Sequence, residues 1–333
     1  MTGIWGIPLA ASALVASLIA LPATAAPIGT ISSFTASLSG TNCSNPEGIA
    51  ADPQGRLYSA SDIDGATVGT VCVFNANGSF NRSIAVPAGS SGVVALIGLA
   101  FHGGHTLFVC DAGDGTTTGR LLSIDTTSGA VTVLATGFGF PNGVALDDRG
   151  NVFVSDSFAG TITRLSQDGS HRVLWSSDPL LSTTGFPPFG ANGLAFDLLS
   201  LNLYVANTGD SRVLRIPVRP NGSAGAVQIF ADGATIDQRQ HTTEALHGAD
   251  GLALDLFGNV YVAANQANEI QVLSPGGILI SRFGSSGAVT LDFPASLVFK
   301  GNQLYFTNAS LFDGGVNSRL LVLQALVPGL PLN

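Results

Sequence analysis

From about residue 45 onward the chain alternates apolar and polar positions in short runs, the two-residue period of half-buried strands. The runs are rich in Val, Phe, Tyr and Leu. Turn signals such as Asp148-Arg149-Gly150-Asn151 and Phe257-Gly258-Asn259 separate a first run from a second. A third follows, as in Thr161–Leu165, Arg212–Ile216 and Glu269–Leu273. No segment past residue 26 carries the 3.6-residue stripe of an amphipathic helix, so an all-β domain is expected.

These runs repeat. Six segments share a loop, a residue that is small or polar in all but the second, Gly in all but the sixth, an apolar strand, a turn, and a second strand that ends in Asp or Asn in all but the first. They read NPEGIAADPQGRLYSAS, LIGLAFHGGHTLFVCD, FPNGVALDDRGNVFVSD, GANGLAFDLLSLNLYVAN, GADGLALDLFGNVYVAAN and FPASLVFKGNQLYFTN. Their equivalent positions are Glu47, Ile97, Asn142, Asn192, Asp250 and Ala295, spaced 50, 45, 50, 58 and 45 residues apart. That spacing suits propeller blades, and six copies in register argue against a β-sandwich. The pattern predicts a six-bladed β-propeller over residues 27–333. Blade six runs out after Leu320–Gln324, and the strand-like stretch Ile28–Ser37 precedes blade one. That stretch is expected to supply the missing outer strand, so that an N-terminal strand closes the ring.

Residues 1–26 differ from the rest. LAASALVASLIALPATAA, Leu9 to Ala26, is an apolar run ending in small residues, and reads as a signal peptide cut near Ala25 or Ala26. No Lys or Arg precedes it, which suits a eukaryotic secretory route, with a fungal source expected. Sequons at Asn42, Asn77, Asn81, Asn221 and Asn308 fit a secreted glycoprotein. A net charge of −9 and a single Lys, Lys300, disfavour nucleic acid and anionic membranes as partners. After signal removal the chain is expected to be a soluble monomer that does not engage a membrane. Three cysteines permit one disulfide, with Cys43–Cys72 preferred, and leave one over; their spacing lacks a C-x₂-C metal clip.

In a propeller the first strand of each blade lines the central channel, so the six equivalent residues meet at one mouth. Two carboxylates and two amides converging there are costly without a cation to bind their oxygens. The all-oxygen set Glu47, Asn142, Asn192 and Asp250 suits Ca²⁺, or another hard divalent cation, better than Zn²⁺. The alternative, that Asn-Gly and Asp-Gly are ordinary turn residues, does not account for Glu47. The Pro-Glu-Gly, Pro-Asn-Gly, Asn-Gly and Asp-Gly series resembles the senescence-marker-protein/gluconolactonase family, with diisopropyl fluorophosphatase and the paraoxonases similar in architecture. The resemblance spans about Asn45 to Leu323. It implies that these four residues match the family's catalytic Ca²⁺ ligands, with Asp250 as general base or nucleophile.

A cation at the mouth with open positions suits hydrolysis of a lactone or ester. His247, three residues before Asp250, is the candidate acid or base. The strand ends Asp111, Asp156, Asn207, Asn265 and Asn308 share the mouth face; Asp156 and Asn207 are expected to orient substrate, or else to cap turns. Loops carrying Phe138, Phe140, Phe186, Phe189 and Phe293 suggest an apolar small-molecule substrate, or else packing between blades. Two other functions fit the same outline. One is a natural-product cyclase, similar to strictosidine synthase or a hetero-Diels–Alderase. The other is a non-catalytic binding propeller with a structural Ca²⁺. No Gly-rich phosphate loop, zincin helix or Gly-x-Ser-x-Gly elbow is present.

Overall fold

The computed structural model describes residues 26–61 and 65–332, and they form a ring of six four-stranded antiparallel sheets. The signal-peptide reading therefore lies almost wholly outside the described residues. In blade three the strands run Pro141–Leu146, Val152–Asp156, Thr161–Leu165 and Arg172–Ser177 from the channel outward. The other blades repeat that order. In blade six the outermost strand is Ile31–Ser33, which pairs with Arg319–Gln324 in the register Ile31 opposite Leu323. The N-terminal strand thus closes the ring as expected.

The alternating pattern buries one face of each sheet against the next blade. Six apolar clusters result, each shared by neighbouring blades around the ring. Aromatic pairs bridge several of them. Tyr58 of blade one stacks on Phe101 of blade two at 5.5 Å, and Phe153 meets Phe196 edge-on at 4.9 Å. Near the closing seam a disulfide joins Cys43 to Cys72, leaving Cys110 free and buried.

One expectation is corrected. An eight-residue α-helix, Gly233–Gln240, follows blade four, capped by Asp232, whose side chain accepts from Thr235 N at 2.9 Å. A short 3₁₀ turn, Pro179–Leu181, precedes the same blade. The helix buries only Gly233 and Ile236. It is held by its cap and by contact with the sheet, so its sequence carries no apolar stripe.

Candidate active site at the channel mouth

The mouth residues are placed by a local irregularity repeated around the ring. In blades two to six the pairing of the first two strands slips by one residue at this position, two residues standing opposite one, for example between Pro141 and Val144. The skipped pair is the mouth residue and the one after it. In blade one the equivalent backbone bonds are Glu47 N to Ala60 O at 2.9 Å and Ala60 N to Gly48 O at 3.0 Å. Such a bulge turns a side chain out of the alternating pattern, here toward the axis.

The glycine that follows has a reason other than a turn. A Cβ on Gly48 would sit 2.0 Å from Ile97 O, one on Gly98 2.1 Å from Asn142 O, and one on Gly143 2.4 Å from Asn192 O. Gly193 and Gly251 stand likewise against Asp250 O and Ala295 O, at 2.2 and 2.5 Å. None of the five has a left-handed φ. Each inner strand presses on the carbonyl of the next blade's mouth residue, which leaves no room for a side chain. Asn-Gly and Asp-Gly here are packing motifs within the innermost strands.

Glu47, Asn142, Asn192 and Asp250 come together in a cavity of ≈ 230 Å³, each at most 6% exposed. Hydrogen bonds fix the two amides. Asn142 Nδ2 donates to Ser157 Oγ at 3.2 Å, and Asn192 Nδ2 donates to Thr208 Oγ1 at 2.8 Å. Each hydroxyl spends its single proton on a carbonyl of the next blade: Ser157 on Ala191 O and Thr208 on Ala249 O, both at 2.7 Å. Each can therefore only accept from its asparagine, so nitrogen must face the hydroxyl, leaving Oδ1 free for the axis. Asp250 Oδ2 accepts from Asn265 Nδ2 at 2.9 Å.

Three buried oxygens lining this cavity, Glu47 Oε2, Asn265 Oδ1 and Gln266 Oε1, have no hydrogen-bond partner among the described residues. Burial, and then the charge of Asp250, push the Glu47 carboxyl well above its ordinary value. Burial likewise raises Asp250 to about 7, against the opposing pull of the Asn265 and Asn192 amides. Two such groups cannot both ionise cheaply without a counter-charge. Two carboxyls, two axis-facing amide oxygens and an orphaned carboxylate oxygen fit a hard divalent cation. The nearby Cys110 thiol is pushed up by burial and by Glu47, which removes it as a nucleophile.

A larger cavity of ≈ 400 Å³ lies at the opposite end of the channel, partly lined by Leu330 and Leu332. Apart from two turn aspartates, Asp148 and Asp197, and Ser200 its lining is apolar. None of the buried oxygens without a partner belongs to it. The chemistry therefore sits at the smaller one.

Of the aromatic residues expected at the mouth, Phe140, Phe186, Phe189 and Phe293 line the cavity. Phe138 does not: it is 1% exposed in the core, with the Arg172 guanidinium 4.2 Å from its ring centroid. Two further residues complete the rim. Phe158 stacks on Phe189 at 5.4 Å and touches Phe140 at 4.9 Å, and Phe312 meets Phe293 edge-on at 5.5 Å. Both follow the end of a second strand, a loop on the mouth side that the strand pattern marks.

Three expected site residues do other work. Asp156 accepts from Gly139 N, Phe140 N and Ala159 N at 2.7, 2.9 and 3.1 Å. It clamps the Phe140 loop and does not line the cavity. Asn207 donates to Leu180 O and Ser182 O, both at 2.9 Å, holding the loop ahead of blade four. Their strand-end positions turn inward to the blade, whereas the following residue faces the mouth. His247 is exposed and stands outside the cavity lining, because Gly248, with φ +70°, turns the chain between it and Asp250.

Ring and mouth together define a six-bladed propeller with a cluster of two carboxyls and two amides at one end. Within the chain, residues 189–310 match the SMP-30/Gluconolactonase/LRE-like region, so the family resemblance is borne out from blade four into the first two strands of blade six. No curated protein matches the chain in sequence. Among solved structures it is similar to a calcium-binding protein, regucalcin, from Agrobacterium tumefaciens. That match has a TM-score of 0.61 and 16% identity, covering 85% of this chain and 91% of that one. A luciferin-regenerating enzyme aligns with a TM-score of 0.63 and 16% identity over 86% and 94%. A gluconolactonase from Xanthomonas campestris aligns with a TM-score of 0.59 and 18% identity over 85% and 86%. At these identities the likeness is one of fold.

Proposed function

We propose that this chain is a metal-dependent hydrolase of an uncharged, apolar lactone or ester. The observation that carries the reading is the buried Glu47–Asp250 pair, with an unpartnered Glu47 oxygen, beneath a ring of phenylalanines. Glu47, Asn142, Asn192 and Asp250 would hold a divalent cation, Ca²⁺ by the chemistry of the donor set; regucalcin, similar in fold, is a calcium-binding protein. Bound there, the cation would supply Lewis acidity at a carbonyl oxygen and balance the two carboxylates.

The chain's own residues supply the rest. Asp250, its Oδ2 held by Asn265 Nδ2, would take a proton from the attacking water or act as nucleophile. Phe140, Phe189 and Phe293 would seat the apolar body of the substrate and keep bulk water out. No Lys, Arg or His lines the cavity among the described residues, so an anionic substrate finds no cationic side chain there. We also infer secretion: the Cys43–Cys72 disulfide suits an oxidising compartment, and Asn42, Asn77, Asn81 and Asn221 are exposed. Asn308 is buried with its amide donated to Thr290 O and Asn317 O, so it carries no glycan in the folded protein.

The test is turnover of a panel of aryl and alkyl lactones and esters. Chelation, Asp250→Asn and Glu47→Gln should each abolish it, by about a hundredfold or more if transition-state charge is stabilised at this site. Undiminished turnover in the chelated protein would overturn the hydrolase reading. Cyclisation without hydrolysis, or ligand retention without turnover, would favour the cyclase or binding reading instead.

A further inference from the structure

One position behind the mouth follows the ligand set from blade to blade. The strand register makes Ser157, Thr208 and Asn265 equivalent, each one residue past the partner of the residue before the mouth position: Pro141 opposite Asp156, Ala191 opposite Asn207, Ala249 opposite Ala264. In these three blades the mouth residue is Asn142, Asn192 or Asp250, and the residue behind it is hydrogen-bonded to it. In blades two and six the mouth residues are Ile97 and Ala295, and the equivalent positions are Ala112 and Ala309, both fully buried. A polar residue stands behind each polar mouth residue among the described blades, and alanine stands behind each apolar one. In blade one the same register falls on Asp62, outside the described residues.

Ser157 and Thr208 do more than fill hydrogen-bonding capacity. Each accepts from its own blade's asparagine and donates to the backbone of the next blade, immediately before that blade's mouth residue. The acceptor role dictates which end of the amide faces the axis. Without the hydroxyl, either amide end would face the cavity, and the nitrogen end repels a cation.

We propose that Ser157 and Thr208 are positioning residues for the cation site, setting the asparagine amides oxygen-inward and tying consecutive ligands across blades three, four and five. The proposal rests on the reading that the mouth binds a divalent cation. Its test is calorimetric titration of the purified chain with Ca²⁺ alone. Ser157→Ala and Thr208→Val should each weaken binding about tenfold or more, the range of outer-shell substitutions at metal sites. Ser157→Thr and Thr208→Ser, which keep the hydroxyl, should bind as the parent does. In an Asn142→Ala background, where no amide is left to orient, Ser157→Ala should cost nothing further. Metal-free melting temperatures separate this role from a general loss of packing, since the affinity loss should exceed any change there. The two hydroxyls are tested separately, so one variant that fails to fold leaves the other decisive. Binding by the parent with unchanged affinity in the variants would overturn the positioning role alone. No binding by the parent would overturn the cation reading and this inference with it.

Discussion

Replacing Asp250 by Asn should stabilise the metal-free protein at alkaline pH and destabilise the metal-loaded one. The first half follows from burial. The Asp250 carboxyl is 3% exposed and is raised from its ordinary 3.8 to about 7. The folded protein therefore holds a proton that the unfolded chain releases near pH 4, so stability falls as pH rises from about 4 to about 7 and is level above that. Three pH units at about 1.4 kcal/mol each make the loss on the order of 4 kcal/mol by pH 8, an upper figure because Glu47 shares the same field. An asparagine keeps the bond from Asn265 Nδ2 through its own oxygen and carries no charge, so it avoids that loss. Thermal melting by circular dichroism with chelator, from pH 4.5 to 8.5, reads it out. The Asp250→Asn variant should melt level with the parent at the acid end and several degrees above it at pH 8, given about 2–4 °C per kcal/mol for a chain of this size class. With Ca²⁺ the gap should narrow, because only the parent gains binding energy, about 2.7 kcal/mol at a hundred times Kd and about 4.1 kcal/mol at a thousand, and the order should invert above that. A parent melting temperature that is flat between pH 4.5 and 7 with chelator, or a variant that melts lower at pH 8, would refute the reasoning.

Gly143→Ala places a methyl 2.4 Å from Asn192 O and should cost several kcal/mol or prevent folding, whereas Gly104→Ala, with nothing within 4 Å, should leave the denaturant midpoint unchanged. Replacing Cys43 and Cys72 by Ser opens a loop of sequence separation 29 and should lower stability by about 3.6 kcal/mol, read from urea unfolding under non-reducing conditions. Phe158→Ala and Phe312→Ala should raise KM for apolar substrates several-fold while leaving Ca²⁺ affinity alone, because both rings meet other rim rings and neither is one of the four proposed ligands. Equal losses on small polar and large apolar lactones would argue against the rim as the substrate seat.

The ring was legible because each blade repeats one pattern of strands and turns, and repetition turns six weak local signals into one strong register. The same register placed Glu47, Asn142, Asn192 and Asp250 together. The side chains behind them were less legible for a geometric reason. Asp156 and Asn207 end their strands and look like mouth residues, but the bulge shifts the pairing by one, so the next residue, Ser157 or Thr208, is the one bonded to the mouth asparagine. Asn265 stood in the same group by type and belongs one step later by register. His247 lies three residues from Asp250 in the chain, but a left-handed glycine between them ends any argument from proximity.

The glycines and hydroxyls carry one further step. A bulge brings each polar mouth side chain to the axis, and the residue after it must be small because the next blade's carbonyl presses on that spot. In blades three and four the residue behind then bonds forward to the same neighbouring strand. Blade-to-blade contact and the placement of the polar mouth side chains are thus made by the same few atoms. A change that loosens the packing of blade three on blade four, such as Gly143→Ala, should therefore weaken Ca²⁺ binding along with folding. By contrast, a change at the far end of the blades, in turns such as Asp148-Arg149, should alter stability alone. Calorimetry on variants of equal melting temperature, one from each end, separates the two. Equal Ca²⁺ affinity in both would mean that the ring and the site are energetically independent.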